Sequence, residues 1–133
     1  NSMAEIKKRY KDEELEEFKS IILKKRTRAV EELAYLTETM RSQHDDGSYG
    51  ETGSYQTLEG GSSSLQKESI SQLAARQQKF IQNLDAALIR IENKSYGVCS
   101  VTGKLIAKER LQAVPHTTKS IEAKKKQYIG KLS

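Results

Sequence analysis

Tryptophan is missing from this 133-residue chain, which also has one cysteine, Cys99, and one proline, Pro115. A lone cysteine excludes an internal disulfide. No apolar run approaches the roughly 18 residues that a membrane-spanning helix needs. Aromatic residues make up 6% of the chain and hydrophobic residues 35%, against 31% charged. So little apolar surface cannot fill a wide globular core, and an elongated architecture is expected. No secretory leader pattern opens the chain. Asn1-Ser2 ahead of Met3 reads as the remnant of an expression tag, and the cytoplasm is the expected compartment.

Charge is plentiful but unevenly placed. The net charge is +5, and residues 99–133 hold eight basic side chains against Glu109 and Glu122. The rest of the chain is close to neutral. A basic end points to an acidic partner surface or to nucleic acid, although a run such as Lys124-Lys125-Lys126 is equally the mark of a solvated tail.

Two stretches carry helical periodicity. Asp12, followed by Glu13, Glu14 and Glu16, is a helix start with carboxylates near the positive end of the dipole. Leu15, Phe18, Ile22, Ala29, Leu33, Leu36 and Met40 then recur in steps of three and four, with Lys25 filling one gap, which is the pattern of a coiled-coil seam. Glycines, serines and aspartates between about 44 and 63 interrupt it, and this stretch reads as a mobile connector. Ser63 and Gln66 resemble a capping box opening a second helix. Its seam is Ile70, Leu73, Gln77, Phe80, Leu84, Ala87 and Ile91, widened by Ile81 and Leu88. Each helix covers about 30 residues, or on the order of 45 Å. Two matching seams joined by a polar loop predict an antiparallel helical hairpin over residues 12–93, since no further long helix is available to complete a bundle.

After Asn93 the period changes. "YGVCSVTGKLIA" carries a hairpin signal around Thr102-Gly103, with glycine suited to a positive φ. "RLQAVPHTT" reads as extended around Pro115, and "KSIEAKKKQYI" as a short amphipathic helix buried through Ile121. A structural zinc site needs four nitrogen or sulfur donors, commonly from two Cys-x-x-Cys pairs. Cys99 is followed by Thr102 at the second position of its pair, and a second pair would fall on Ser120 and Ala123. The Cys99 thiol then reads as a small buried hydrophobe rather than a ligand or a reactive group.

In order, the helical hairpin, "YGVC", "TGKLIAKERLQAVP" and the short last helix resemble the DksA/TraR family of bacterial transcription regulators. That family's knuckle reads Tyr/Phe-Gly-x-Cys-x-x-Cys-Gly, followed by Ile, Arg-Leu-x-Ala and Pro, then a second Cys-x-x-Cys. Tyr96, Gly97, Cys99, Gly103, Ile106, Arg110, Leu111, Ala113 and Pro115 fall on the pattern. The resemblance is close over 96–115 and extends, on helix pattern and spacing, over about 10–126. Three of the four ligand positions, Thr102, Ser120 and Ala123, carry no cysteine, so it implies a degenerate finger without metal. An apolar interior of Val98, Val101, Leu105, Ile106, Leu111, Val114 and Ile121, at about 1.5–3 kcal/mol for each fully buried large side chain, would offset the lost metal.

The expected fold is thus mainly α: residues 1–11 lead in, 12–93 form the coiled-coil hairpin with its tip at 44–63, and 94–133 form a small zinc-finger-like lobe ending in a short helix. The resemblance implies a factor that binds RNA polymerase and inserts its hairpin into the secondary channel, without enzymatic activity, cofactor, membrane association or sequence-specific DNA reading. The family's acidic tip motif falls on Gln56, Glu59 and Gly61, leaving Glu59 together with Asp45 and Asp46 as candidate effectors. Arg76, Arg110 and Lys124 occupy positions where the family contacts polymerase or the alarmone guanosine tetraphosphate. Two further alarmone positions fall on the uncharged Asn83 and Val114, and the lost charge-assisted hydrogen bonds argue against alarmone synergy. The competing reading is a basic nucleic-acid-binding module on a coiled-coil spacer or dimerisation rod, although aromatics interleaved for base stacking are lacking. An enzyme is the weakest class: His44 and His116, the only histidines, fall at opposite ends of the hairpin, and no catalytic constellation is visible.

Overall fold

The computed structural model describes the backbone of residues 8–48 and 53–132, and the side chains of 8–42 and 64–132. Its helices are α1 (Asp12–Ser48), α2 (Gly53–Glu92), α3 (Lys108–Ala113) and α4 (Ile121–Leu132). The fold is an antiparallel helical hairpin followed by a small lobe. None of these helices, within the described residues, is long and apolar enough to cross a membrane.

The helix-forming signals act mostly where they were expected, with shifted ends. Asp12 is the first residue of α1 rather than its cap: Leu15 N–H bonds to Lys11 O at 2.9 Å, and Lys11 N–H donates to Glu14 Oε1 at 3.0 Å. Glu14 thus reaches back over the helix start as in half of a capping box. α2 begins ten residues before Ser63, at Gly53. Glycine costs about 1 kcal/mol in a helix relative to alanine, a local preference that the context of a long helix overrides. At its other end α2 stops on Lys94, whose φ of +65° lets Ser95 and Tyr96 N–H both reach Arg90 O, at 2.9 and 3.1 Å.

The chain divides into two compact units. In the unit of residues 27–82 the buried seam is thin: Ala29, Leu36 and Ala74 are buried, while Leu33, Met40, Ile70, Gln77, Phe80 and Ile81 are half-buried. Leu73, expected in the seam, is 46% exposed, and its neighbour Ala74 turns inward instead. Helical steps of three and four are both allowed, and the packing chose the smaller residue.

The second unit combines residues 8–26 of the described chain with 83–132. Leu15, Phe18 and Ile22 of α1 and Leu84, Ala87 and Ile91 of α2 are buried here. Arg26 bonds Asp85 at 2.6 Å and Lys94 bonds Asp12 at 2.8 Å, two cross-links in antiparallel order. The lobe packs on the same core. Tyr96 is fully buried, lies 5.3 Å from Phe18 between ring centroids, and donates its hydroxyl to Pro115 O at 2.8 Å. Phe18 in turn meets the Tyr10 ring edge-on at 5.3 Å, and the Tyr10 hydroxyl bonds Ile106 O. Desolvation pushes the ionisation of both tyrosines up, so each stays a neutral donor.

Inside the lobe, the expected β-hairpin is reduced to one antiparallel bridge, Val98 to Leu105, around Gly103 at φ +73°. The stretch expected to be extended before Pro115 is instead α3, which buries Leu111 completely. With a single bridge there is no sheet for it to join, and Pro115 sits just past the helix end, where it is compatible with a stop. α4 forms as expected but buries Ala123, while Ile121 is 53% exposed. Val101 is likewise exposed, at 54%. The apolar interior of the lobe is therefore Tyr96, Cys99, Ile106, Leu111, Pro115 and Ala123, with Val98, Leu105 and Val114 half-buried.

Two substitutions test this packing. Leu84→Ala should cost about 2–5 kcal/mol in chemical denaturation, while Leu73→Ala costs well under 1 kcal/mol, opposite to equal seam positions. Gly97 has φ +80°, and a Cβ there would lie 2.6 Å from the Tyr10 ring. Gly97→Ala should destabilise by about 2 kcal/mol or more, read by the same denaturation series.

Candidate functional site

The four positions where a finger's cysteines would stand are brought together by the knuckle and the start of α4. Gly103 N–H bonds Cys99 O at 2.9 Å and Cys99 N–H bonds Lys104 O at 2.8 Å, closing the knuckle turn. Cys99, 1% exposed, accepts N–H bonds on its sulfur from Thr102 at 3.5 Å and Ser120 at 3.4 Å. Its Sγ lies 3.6 Å from Ser120 Oγ. Ser120 is the N-cap of α4: its Oγ accepts Ala123 N–H at 3.1 Å, and its carbonyl accepts Lys124 N–H at 3.0 Å. Thr102 Oγ1 accepts Lys104 N–H at 3.2 Å. Burial raises the Cys99 thiol, but hydrogen bonds from Thr102, Ser120 and Val101 outweigh it and lower its pKa from 9.0 to about 6.

These residues do not fit zinc. One thiol, two hydroxyls and a methyl group stand in place of four soft donors. Among the described residues, no group of three or more His, Cys, Asp and Glu side chains could hold a metal ion.

The candidate cations have different surroundings. Arg110 turns into the lobe: its Nε donates to Lys119 O at 2.8 Å and another guanidinium nitrogen to Thr117 Oγ1 at 3.2 Å. Thr117 Oγ1 also accepts Lys119 N–H at 3.3 Å, so one arginine fixes the loop 117–119 that leads into α4. Lys124 is exposed and shares a concave site with Asn83, Arg90, Val114, His116 and Lys119. Asn83 and Val114, the positions that the family resemblance relates to the alarmone, line the same concave surface as Lys124. Arg90 was not singled out by sequence; it donates to His116 O at 3.3 Å, and burial lowers its pKa. Burial, then the Arg90 and Lys124 charges, lower the pKa of His116 and favour its neutral form. The signal for Arg90 was a cation one residue before Ile91 in an otherwise apolar stripe. Arg76 is an exposed residue of α2 in the other unit. Asp45, Asp46, Glu59 and also His44 lie outside the residues whose side chains are described.

Comparison with known proteins places the lobe. Residues 94–128 match the prokaryotic dksA/traR C4-type zinc finger. Over 51 residues, 38% of this chain, the sequence is 47% identical to the RNA polymerase-binding transcription factor DksA of Caulobacter vibrioides. It is 30% identical over 86 residues, 63% of the chain, to the uncharacterized protein YteA of Bacillus subtilis. Both matches span only 36% of the relative's length. The structure of transcription factor DksA2 from Pseudomonas aeruginosa superposes with a TM-score of 0.78 at 24% identity, covering 90% of this chain and 86% of that one, a likeness of fold. The C-terminal lobe thus carries the signature of the dksA/traR zinc finger, and the chain shares the fold of a transcription factor named DksA2.

Proposed function

We propose that the protein is a non-enzymatic transcription regulator that binds RNA polymerase in the cytoplasm. The observation that carries this reading is the joint occurrence of a lobe that matches the dksA/traR zinc finger, a 51-residue stretch 47% identical to a polymerase-binding factor, and a fold shared with a second transcription factor. In this reading the hairpin enters the polymerase secondary channel, as the family resemblance implies. Asp45, Asp46 and Glu59 at the far end of the hairpin then act on initiation, and the lobe with its cations anchors the complex.

The side-chain geometry divides the labour among those cations. Arg110 makes its described bonds inside the lobe, and its contribution is to hold loop 117–119 and the approach to α4. Lys124 and Arg76 are exposed and free to meet an acidic surface. A cation that positions a loop affects binding through shape, whereas an exposed one acts through charge and is screened by salt.

The test is co-purification with core polymerase. Wild type is expected to bind. Glu59→Ala, and a variant with residues 45–61 replaced by a short neutral loop, should still bind but lose their effect on transcription from responsive promoters. Lys124→Ala should weaken binding more at low salt than at high salt, and Arg110→Ala should weaken it at both. Absence of polymerase binding, together with steeply salt-dependent binding to naked DNA, would establish the nucleic-acid module instead.

A further inference from the structure

The family's zinc has no ligand set in this chain, yet the place it would occupy is neither open nor collapsed. Tetrahedral geometry at a Zn–S distance of about 2.3 Å sets neighbouring thiolates about 3.8 Å apart. Cys99 Sγ and Ser120 Oγ, the leading positions of the two pairs, are 3.6 Å apart. The two side chains that stand at these positions are thus in direct contact across the knuckle and the start of α4. What holds them there is a chain of hydrogen bonds: Thr102 N–H and Ser120 N–H to the sulfur, sulfur to the Ser120 hydroxyl, and Ala123 N–H to that hydroxyl. Ser100 N–H to Thr118 O, at 2.8 Å, closes the same seam from the backbone.

We propose that Ser120 is a metal-free latch: its hydroxyl bonds Cys99 and caps α4 at once, so the knuckle and the C-terminal helix close on each other without zinc. The Ser120 oxygen accepts from both the Cys99 S–H and the Ala123 N–H, one on each lone pair, which a methyl group cannot do. The cap alone would order the start of α4, and the sulfur alone would order the knuckle. Ser120 makes the two dependent on one another.

A double-mutant cycle separates a latch from a mere cap. Ser120→Ala is expected to lower Tm by roughly 3–5 °C, the shift that losing one capping interaction gives in a chain of this size. Cys99→Ala should lower it as well, and the double variant should fall clearly short of the summed drops, because both substitutions break one shared interaction. Ser120→Thr, which keeps the hydroxyl, should retain most of the wild-type Tm. Wild type purified from zinc-supplemented medium should carry no stoichiometric zinc by elemental analysis, and its Tm should be unmoved by a chelator. Thr102→Cys/Ser120→Cys/Ala123→Cys should take up one zinc per chain and become chelator-sensitive. Additive Tm drops would overturn the latch, stoichiometric zinc in wild type would overturn its independence of metal, and a triple variant indifferent to zinc would overturn the gathering of the four positions.

Discussion

The arrangement depends on the burial of Tyr96 at the junction of helix and lobe. Its ring has no exposure, touches Phe18 of α1, and carries a hydroxyl that ends on the carbonyl of Pro115, nineteen residues along the chain. An aromatic side chain in this position supplies both a large apolar surface and a directed polar tip. The apolar part joins the lobe to the base of the hairpin, and the tip fixes the segment between α3 and α4. Tyr10 repeats the device from the other side, stacking edge-on against Phe18 and bonding Ile106 O. Gly97 is the counterpart of this contact, since only a residue without a Cβ fits beneath the Tyr10 ring.

This aromatic junction explains how the lobe remains a defined structure on so small an apolar inventory. Small metal-bound modules take much of their folding free energy from the metal. Here the lobe is not an independent module: its core continues into Leu15, Phe18, Ile22 and Leu84 of the hairpin base. Lys108 adds an ion pair to Glu14 at 2.6 Å, tying the start of α3 to α1. That pair is half-exposed and contributes modestly, so apolar burial, not charge, carries the junction.

The polar side chains take up two roles in consequence. Arg90 and Arg110 lie against backbone carbonyls of the loop 116–119 and shape it from opposite elements, α2 and α3. The lysines of α4 remain solvated, and Ile121, Tyr128, Ile129 and Leu132 on the same helix are exposed beside them. This face of α4 is therefore apolar with a cationic border.

Sequence periodicity alone determined the two seams, because residues three and four apart must share a helix face: Leu15, Phe18, Ile22, Ala29 and Leu36 on one helix and Leu84, Ala87 and Ile91 on the other are buried as the pattern requires. The knuckle motif likewise determined the turn at Gly103 and the pairing of positions 99 and 102 with 120 and 123. Only the tertiary structure decided which apolar residues fill the lobe. Val101 and Ile121 are left in solvent while Tyr10 and Phe18, some eighty residues away in sequence, take their place. It also decided that Arg110 serves a loop and that α3 is helical, since a segment of six residues has too little periodicity to declare itself. Local pattern specifies a face, but what that face meets depends on how distant parts of the chain close against it.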